Sequence, residues 1–252
     1  MSAHEQLEGR NPVIEALRRK RRPVRKIFLD ERAKENPKIR ELLQLAREQG
    51  ISVQRVPRQT LDRRSRAGVH NGVMALADPL PELSVHQRLE EVLVSGEYPF
   101  FVLIDEVQYE HNLGAILRSA LGAGVHAVVI PVRRGKGVTP VVHRVSMGGA
   151  ESVPVIREGI SSALATLKRA GIPIVGADMD GKPCWSVPMK GAVAVVLGGE
   201  DKGLTNTLRK RCDHIVSVPL AGDLDSLNVS VTAGILLFEK CRQDSLTGGA
   251  GT

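Results

Sequence analysis

The most informative segment of the chain is Val216–Glu239, VSVPLAGDLDSLNVSVTAGILLFE. It joins an apolar strand, a glycine-containing turn, a polar Ser-Leu-Asn cluster and an apolar helix with almost no spacer. A second glycine-bearing turn, in AVVLGGEDKGL from Ala194 to Leu204, also follows directly after an apolar strand. Polar turns at the ends of buried strands are where α/β proteins hold their ligands. The sequence therefore predicts a ligand site built from the last quarter of the chain.

Upstream of these turns, apolar strands alternate with helical segments from Pro99 onward. The predicted strands span residues 100–104, 126–131, 153–156, 172–177, 193–197 and 215–218. The predicted helices span residues 112–123, 139–145, 160–170, 205–211 and 229–242. Strands that are apolar on both faces and separated by helices are typical of a parallel sheet covered on both sides. We therefore expect one α/β domain over residues 99–244, followed by a Gly-rich, disordered tail at 245–252.

The first 77 residues are expected to form a separate, compact α/β unit. Its first helix is predicted over residues 12–20, with Asn11 as the N-cap and Pro12 at the first helical position. The remaining predicted elements are a strand at 26–29, a helix at 37–49, and strands at 51–56 and 73–77. The proline-rich sequence DPLPEL begins at Asp78, so residues 78–98 are predicted to be a linker.

The net charge of the chain is unevenly distributed. Residues 1–70 contain 18 Lys and Arg against nine Asp and Glu, whereas the whole chain has 35 and 28 and a net charge of +7. The basic excess therefore belongs to the first domain, as expected for a surface that contacts a polyanion; the alternative is an ordinary solvated surface. The residues that we predict to contact a nucleic acid are Arg18, Arg19, Lys20, Arg21, Arg22, Arg63 and Arg64.

The composition excludes several other classes of protein. No apolar stretch approaches the roughly 20 residues that a membrane helix needs. The N-terminal sequence MSAHEQLEGRNP has no apolar signal core, so secretion is not expected. Cys184, Cys212 and Cys241 are odd in number and widely spaced, which favours reduced cytosolic thiols over disulfides or a metal site.

Three clusters in the larger domain are candidates for a functional site. The first is NLGAILRS at residues 112–119, which contains Asn112 and Arg118. An Asn at a helix start is often only an N-cap, and an Arg six residues later lies on another face of the helix.

The second cluster is GGEDKG at 198–203. It matches neither the GxGxxG fingerprint nor a phosphate-binding loop, so the alternative to a functional site is a simple tight turn. The third cluster is PLAG with the following SLNVS at 226–230, where Ser226 or Asn228 could merely cap the last helix.

Taken together, NLGAILRSA, VVLGGEDKGL and SVPLAGDLDSLNVS, in this order and at this spacing, resemble the three motifs of the SpoU (TrmH-type) RNA ribose 2′-O-methyltransferases. These enzymes belong to the knotted SPOUT superfamily. The resemblance extends upstream, where EGRNPVIEAL and RAGVHNGVMA look like the RNA-binding domain of the bacterial 23S rRNA guanosine 2′-O-methyltransferase branch. It covers the whole chain except the tail. Each motif alone is weak, whereas the ordered triple is highly specific.

The resemblance implies a C-terminal α/β domain whose parallel sheet contains a deep trefoil knot, preceded by a small N-terminal α/β RNA-binding domain. It implies a cytoplasmic homodimer whose active site uses both subunits. The expected activity is S-adenosylmethionine-dependent 2′-O-methylation of a ribose in RNA, with a guanosine of 23S rRNA as the expected target and no metal. The implied cofactor-binding residues are Leu197, Gly198, Gly199, Val218, Leu220, Leu227 and Asn228.

The same resemblance assigns the catalytic roles. The expected catalytic set is Arg118, Asn112, Glu200, Ser226 and Asn228. Because an arginine stays protonated in nearly every protein, Arg118 is expected to act as a fixed cation rather than as a general base. Asn112 would orient that assembly, and the other three residues would complete the pocket.

The chain departs from the family pattern at one place near the first motif. Relatives usually carry Asp-Pro shortly before the motif-one Asn, and this chain carries Tyr109-Glu110. This pair keeps open a non-catalytic rRNA-binding assembly factor as an alternative function. A second alternative is an antibiotic-resistance rRNA methyltransferase of the same family that acts on another nucleotide.

Overall fold

The structure is a computed structural model that describes residues 4–106, 108–133, 137–199, 203–222 and 224–246. The chain divides into two compact units. The first unit combines Met1–Pro81 with Val138–Ser152, and the second combines Glu82–Gly137 with Val153–Thr252. In the described part of the chain, no helix is long and apolar enough to cross a membrane.

A six-stranded, fully parallel sheet forms the centre of the second unit. Its strands are β5 (Phe100–Ile104), β6 (Ala127–Ile130), β7 (Val155–Arg157), β8 (Ile174–Pro183), β9 (Val193–Leu197) and β10 (His214–Ser217). They lie in the order β10-β8-β9-β5-β6-β7. All five residues of β5 and of β9 are buried, as expected for central strands that are covered on both faces. This confirms the parallel α/β architecture that the sequence predicts.

Helices follow most of these strands and cover the sheet. They are α4 (Val85–Val94), α5 (Glu110–Gly122), α8 (Ile160–Arg169), α9 (Asn206–Arg209) and α10 (Val229–Ser245). The last helix packs on α5 through small residues, since a side chain added at Gly122 would touch Phe238 and one added at Gly234 would touch Ser119. This contact places the start of α10 beside the start of α5, where two of the three sequence motifs lie.

The first unit is built on a four-stranded mixed sheet in the order β1-β4-β2-β3. Its elements are β1 (Glu5–Glu8), α1 (Arg10–Arg19), β2 (Val24–Asp30), α2 (Pro37–Glu48), β3 (Val53–Val56), α3 (Arg58–Arg64), β4 (Val73–Ala77), α6 (Pro140–Val145) and α7 (Gly149–Ser152). Alternate residues of β2 point to opposite faces of this sheet. Ile27 and Leu29 join the core under α1 and α2, whereas Phe28 joins a smaller cluster with Leu61 of α3. Helix α3 therefore lies on the sheet face opposite α1 and α2.

A buried ionic cluster holds residues 138–152 within the first unit. The Arg22 guanidinium donates to the Glu151 carboxylate, with Nε 3.1 Å from Oε2, and it also pairs with Glu5. The His143 Nδ1 atom lies 3.0 Å from Glu151 Oε1. The side chains of Arg22, His143 and Glu151 are at most 3% exposed. A buried charge is tolerated only when it is paired and hydrogen-bonded, so these contacts fix the position of α7 against α1.

Several boundaries predicted from the sequence need correction. The helix predicted at 12–20 begins at Arg10 with Gly9 as its N-cap, so Asn11 is not the cap. Residues 78–98 are not all linker, because Ser84 and Gln87 form a capping box that starts α4. Residues 138–152 belong with the first unit instead of the predicted 99–244 domain. Helix α10 extends through Ser245, and most of the predicted disordered tail, residues 247–252, lies outside the described residues.

Candidate functional site

A pocket of about 840 Å³ opens at the carboxyl ends of three neighbouring strands of the parallel sheet, β8, β9 and β10. The first turns of α5 and α10 complete its wall. Its described lining residues are Tyr109, Asn112, Ala177, Asp178, Met179, Leu197, Gly198, Gly199, Gly203, Val216, Ser217, Val218, Pro219, Leu220, Leu224, Asp225, Ser226, Leu227, Asn228, Val229, Thr232 and Leu236. Its volume suits a small molecule of nucleoside size, and the carboxyl edge of a parallel sheet is the usual place for such a site.

The loop after β9 brings Gly198 and Gly199 against Gly203, where an added side chain on Gly198 would clash. Gly199 and Gly203 exchange two backbone hydrogen bonds, of 3.1 and 3.0 Å, across this loop. A Cβ atom on Gly198 would overlap the backbone of Gly203 and Leu204. Gly203 has φ +60°, in the left-handed region that glycine favours. The glycines therefore bring the backbone itself to the wall of the pocket.

Asn228 connects two of the sequence motifs at this pocket. Its side-chain oxygen accepts hydrogen bonds from the backbone N–H and the hydroxyl of Ser230, at 2.8 and 2.6 Å, and so caps α10. Its Nδ2 atom donates to Asn112 Oδ1 at 3.1 Å. The predicted alternative that Asn228 is a helix cap is therefore correct, but the same amide also joins α10 to the first turn of α5.

The charged residues of the pocket wall are acidic. Among the described lining residues, Asp178 and Asp225 are the only charged ones. Of the two Asp178 carboxylate oxygens, Oδ1 lies 3.0 Å from Arg209 Nη1 and accepts a hydrogen bond from the backbone N–H of Asp180 at 3.4 Å; the second oxygen is Oδ2. That second oxygen lies 3.9 Å from where a Cβ atom on Gly203 would stand, beside the glycine loop. Such a wall favours a neutral or positively charged small molecule over an anion.

Most of the residues that the sequence singles out meet at this pocket. Those that line it are Asn112, Leu197, Gly198, Gly199, Val218, Leu220, Ser226, Leu227 and Asn228. Arg118 does not line it and instead lies exposed on α5, and none of the hydrogen bonds or ion pairs between described residues uses its side chain. Glu200 lies outside the described residues. The three motifs thus converge, but the predicted catalytic arginine stands apart from the pocket of its own chain.

Sequence reasoning missed Asp178 and Met179, which belong to the third strand of this edge. Both lie in β8, directly after the strand that the sequence predicts at residues 172–177. Only the strand order shows that β8 lies between β9 and β10. Tyr109 was noted as a departure from the family pattern, and it lies at the pocket with its side chain 63% exposed.

The predicted RNA-binding residues lie in two different environments of the first unit. Arg63 and Arg64 are exposed at the end of α3, and Lys20 is exposed after α1. Arg18 pairs with Glu15 and Glu41, and Arg19 pairs with Glu15. Arg21 donates to the backbone oxygen of Glu151. The prediction for Arg22 is wrong, because its guanidinium is fully buried in the ion pair with Glu151 and cannot reach RNA.

In the described part of the chain, no group of three or more His, Cys, Asp or Glu side chains is placed to bind a metal ion. The three cysteines at 184, 212 and 241 are unpaired.

Comparison with known proteins identifies the family. The profile of the SpoU rRNA Methylase family matches residues 99–238. A second profile, for the substrate-binding domain of RNA 2′-O ribose methyltransferases, matches residues 6–83. The chain belongs to the SpoU methylase family.

Individual relatives agree with this assignment over nearly the full length. The chain is 38% identical to the 23S rRNA (guanosine-2′-O-)-methyltransferase RlmB of Escherichia coli (strain K12), over 85% of this chain and 88% of that one. It is 34% identical to YacO of Bacillus subtilis (strain 168), which carries the name of the TrmH tRNA/rRNA methyltransferase family, over 97% and 98% of the two chains. The solved structure of the SpoU methyltransferase AviRb from Streptomyces viridochromogenes in complex with AdoMet superposes with a TM-score of 0.78 at 26% identity, covering 97% and 91%.

Proposed function

We propose that this protein transfers a methyl group from S-adenosylmethionine to a ribose 2′-hydroxyl of RNA, and that its substrate is a guanosine of 23S rRNA. The observation that carries the proposal is the convergence of the three motifs, through Asn112, Gly198 and Asn228, on one pocket. Family membership and the likeness to the E. coli RlmB enzyme support the choice of substrate.

Four features of the pocket fit S-adenosylmethionine. Its volume of about 840 Å³ accommodates a nucleoside with an amino-acid side arm. The glycine loop brings the backbone of Gly198, which has no side chain, to the pocket wall, where it can bind a polar edge of an adenosine. Asp178 and Asp225 suit the positive charge of a sulfonium. Leu197, Val218, Leu220 and Leu227 supply apolar wall to the same pocket.

The chain's own residues position the reacting groups. S-adenosylmethionine supplies a methyl group that is already activated by its sulfonium, so the reaction is a direct displacement without a metal. The ribose oxygen forms a bond to the methyl carbon as the bond from that carbon to sulfur breaks, the electron pair of that bond stays on the sulfur of S-adenosylhomocysteine, and the hydroxyl proton passes to solvent water. The chain must hold the 2′-hydroxyl in line with the methyl group. Asn112, Ser226 and Asn228 are the polar side chains at the pocket that can orient it.

Arg118 is the cation that we assign to the developing charge on the ribose oxygen. Because it stays protonated, it stabilises that charge and the neighbouring phosphate instead of removing the proton. Glu200 remains a member of the proposed catalytic set by its place in the second motif.

The proposal includes a homodimer in which the second copy supplies Arg118. Exposed Arg118 lies outside the pocket of its own chain. Helix α10 presents Val231, Ile235 and Phe238 as an exposed apolar stripe, with 49%, 37% and 52% of these side chains accessible. Residues three and four apart share one helix face, so the stripe is continuous and suited to a second copy of the chain.

The α/β knot of the family is part of the same proposal. It is supported by the path of the last segment, which leaves β10 at the sheet edge, passes the pocket and ends in α10 against α5. The first unit is proposed to bind the RNA, as its match to the substrate-binding profile and its basic excess support. We expect the protein to act in the cytoplasm, where rRNA is assembled into ribosomes.

The decisive experiment is methyl transfer from labelled S-adenosylmethionine to unmodified 23S rRNA transcribed in vitro, followed by mapping of the modified ribose. Transfer to a guanosine 2′-oxygen is the expected result. Transfer to a different nucleotide would favour the resistance methyltransferase. RNA binding without any transfer would favour the non-catalytic assembly factor and overturn the proposal.

A further inference from the structure

The basic residues of the first unit differ in how fully their charges are already paired. In the run at 18–22, Arg18 donates to Glu15 and to Glu41, and its pKa is raised chiefly by the hydrogen bond to Glu41. Arg19 pairs with Glu15, and Arg22 is buried against Glu151. Much of the positive charge of this run is therefore neutralised within the unit.

A second group of cations surrounds the end of α3. Arg63, Arg64 and Arg66 are all exposed, and none of them pairs with a carboxylate among the described residues. They follow Leu61, which packs on the sheet face opposite α1 and α2. We call Arg63, Arg64 and Arg66, with Lys26 of β2, the α3 surface. None of its cations forms an ion pair among the described residues, and the neighbouring Asp62 of α3 pairs with His70 instead.

A buried carboxylate fixes the turn that follows α3. Glu8 is 0% exposed, yet it accepts hydrogen bonds from the backbone N–H of Arg66 at 2.6 Å and of Ala67 at 3.2 Å. The Ser65 hydroxyl donates to it at 2.5 Å and the Gln6 amide at 2.7 Å. Gln6 also donates to the backbone oxygen of Arg64 at 2.9 Å. Four donors from one strand and one turn thus converge on a single carboxylate.

The hydrogen bonds to Glu8 stabilise the turn after α3 strongly. A buried carboxylate is strongly unfavourable unless its oxygens are hydrogen-bonded, and bonds to a charged acceptor are stronger than neutral ones. The turn cannot open without leaving the Glu8 carboxylate unsatisfied. The position of the Arg66 backbone is therefore set before any partner binds.

The side chain of Arg64 is also held in place. Its guanidinium lies over the Phe28 ring at 4.6 Å from the ring centre, and the Lys26 ammonium lies 5.3 Å from the same centre. A cation over an aromatic face keeps its N–H groups available for a further ligand. An arginine fixed in this way loses little freedom when it binds a phosphate, and it can contact that phosphate with two parallel hydrogen bonds.

We infer that the α3 surface is the part of the first unit that contacts the phosphate backbone of the RNA, and that Glu8 is the positioning residue that holds it in register. The inference rests on the proposed function for the identity of the polyanion as RNA. What it adds is that the α3 surface makes the phosphate contacts and that Glu8 positions this surface.

The surface is tested by a matched pair of charge-removing variants. Arg63→Ala/Arg66→Ala removes two cations from the α3 surface. Arg40→Ala/Arg47→Ala removes two exposed cations, without a partner among the described residues, from α2 on the other sheet face. Filter binding of unmodified 23S rRNA transcript is measured over a range of KCl concentrations. The first variant should bind the RNA at least about tenfold more weakly. The slope of the logarithm of the binding constant against the logarithm of the KCl concentration should fall in magnitude by roughly 1.4–1.8, since each lost phosphate contact contributes about 0.7–0.9. The α2 control should keep the wild-type slope.

The role of Glu8 is tested by Glu8→Gln and Ser65→Ala. Both remove part of the hydrogen bonding that holds the turn, and Ser65→Ala does so without changing a buried group. Trypsin cleavage after Arg66, identified by mass spectrometry, should be at least about tenfold faster in Glu8→Gln and less accelerated in Ser65→Ala, because the turn opens locally. RNA affinity should fall in the same order, while S-adenosylmethionine affinity by calorimetry should stay at the wild-type value. Faster cleavage at all sites in Glu8→Gln would show that this variant unfolds as a whole. In that case, the rate of cleavage after Arg66 in Ser65→Ala tests the role of Glu8.

The outcomes separate this inference from the proposed function. Equal RNA binding and salt slopes for the α3 and α2 double variants would overturn the choice of surface, even if methyl transfer occurs. Unchanged cleavage after Arg66 in both turn variants would overturn the role of Glu8. Absence of methyl transfer together with weakened binding by the α3 variant would leave the surface in place and overturn the catalytic proposal alone.

Discussion

The Nδ2 atom of Asn228 donates a hydrogen bond to Oδ1 of Asn112 at 3.1 Å, which ties the start of the last helix to the start of α5. The two residues stand 116 positions apart in the chain. Asn228 also caps α10 through Ser230, so one amide has two tasks: it caps its own helix and it links that helix to α5. These tasks use different atoms and can therefore be separated by mutation.

Asn228→Asp should keep the cap and lose the link. A carboxylate still accepts from Ser230, but it cannot donate to Asn112 and would face its amide oxygen. We expect the free energy of unfolding to fall by about 1 kcal/mol, as the loss of one hydrogen bond implies, and the single-turnover methylation rate to fall roughly tenfold, because Asn112 is no longer held at the pocket. Asn228→Ala removes both tasks and should also lose about 1 kcal/mol of stability with the cap. A wild-type rate for Asn228→Asp would show that the link does not position the reacting groups.

Gly198→Ala should prevent cofactor binding without disturbing the rest of the second unit. The added methyl group would overlap the backbone of Gly203 and Leu204, so the loop must move away from the pocket. Calorimetry with S-adenosylmethionine should show affinity at least about tenfold weaker. Gly159→Ala is the matched control, because a Cβ atom there meets nothing within 4 Å and its φ is −64°. Normal binding by Gly198→Ala would mean that the loop does not form the cofactor wall.

Asp178→Asn should weaken binding of S-adenosylmethionine more than binding of S-adenosylhomocysteine. The wall charge of Asp178 favours a sulfonium cation, whereas the product has a neutral thioether. Because the side chain is partly exposed and paired with Arg209, screening limits the effect to about 1 kcal/mol, or roughly fivefold. Both affinities are measured by calorimetry, with exposed Asp180→Asn, outside the pocket wall, as the control. Equal losses for both ligands would point to a loss of shape and not of charge.

Local sequence patterns were enough to predict the strands that build the site. The apolar runs at 100–104 and 193–197 have the observed bounds of β5 and β9 because fully buried strands exclude polar residues. Helix α4 was missed although its signals are present: Val85, Leu89 and Val92 recur at helical spacing after the Ser84 cap. The proline-rich sequence just before it obscured this pattern.

Other features depend on contacts that no local pattern encodes. The pairing of Arg22 with Glu151 joins residues 129 positions apart, so the run RRKRR could not show that one of its arginines is buried. Because this contact is distant in sequence, the sequence places residues 138–152 in the predicted 99–244 domain, whereas in the structure they belong to the first unit. The carboxylate of Asp178 reaches the pocket only because β8 lies between β9 and β10. The resemblance to the family's ordered motifs nonetheless groups the three motifs, and the structure shows that each follows a strand whose carboxyl end faces the same edge.

The buried cluster around Glu151 should make the first unit sensitive to acid. Burial alone raises the pKa of the Glu151 carboxyl, but the His143 ring and the Arg22 guanidinium outweigh burial and hold that pKa below its usual value. A carboxyl with a lowered pKa in the folded state stabilises the fold above its unfolded pKa of about 4.3, and this contribution disappears as the pH falls through the folded pKa.

Glu151→Gln should therefore be destabilising at neutral pH and less so in acid. Removing one partner leaves the Arg22 charge buried, which costs about 3 kcal/mol or more in the free energy of unfolding. We expect this difference from the wild type at pH 7 to shrink at pH values below 4, as measured by urea unfolding. Glu41→Gln removes a more exposed partner of Arg18, 34% accessible, and should cost less than about 1 kcal/mol. A difference that does not change with pH would show that the Glu151 charge is not what stabilises the unit.

Mixing two inactive variants can show which copy of the chain supplies Arg118. Arg118→Ala should lower the single-turnover rate by about 10²–10³ while leaving cofactor affinity unchanged, because the cation acts on charge that develops in the transition state. Arg118→Lys should rescue little, since it lacks the fork that can bind a phosphate and a hydroxyl together. Gly198→Ala is inactive for a different reason, the loss of the cofactor pocket.

If Arg118 acts across the dimer, a hybrid of the Arg118→Ala and Gly198→Ala chains contains one complete site, formed by the intact pocket of one chain and the intact arginine of the other. Random exchange produces hybrids as half of all dimers, so mixing should restore about a quarter of the wild-type rate. If Arg118 acts in its own chain, both sites of the hybrid are defective and mixing restores nothing. The exposed position of Arg118, outside its own pocket, leads us to expect restoration. Light scattering checks that dimers form, and native mass spectrometry, which resolves the hybrid from the two parent dimers, checks that they exchange. An exchanged but inactive mixture would place the arginine in the site of its own chain.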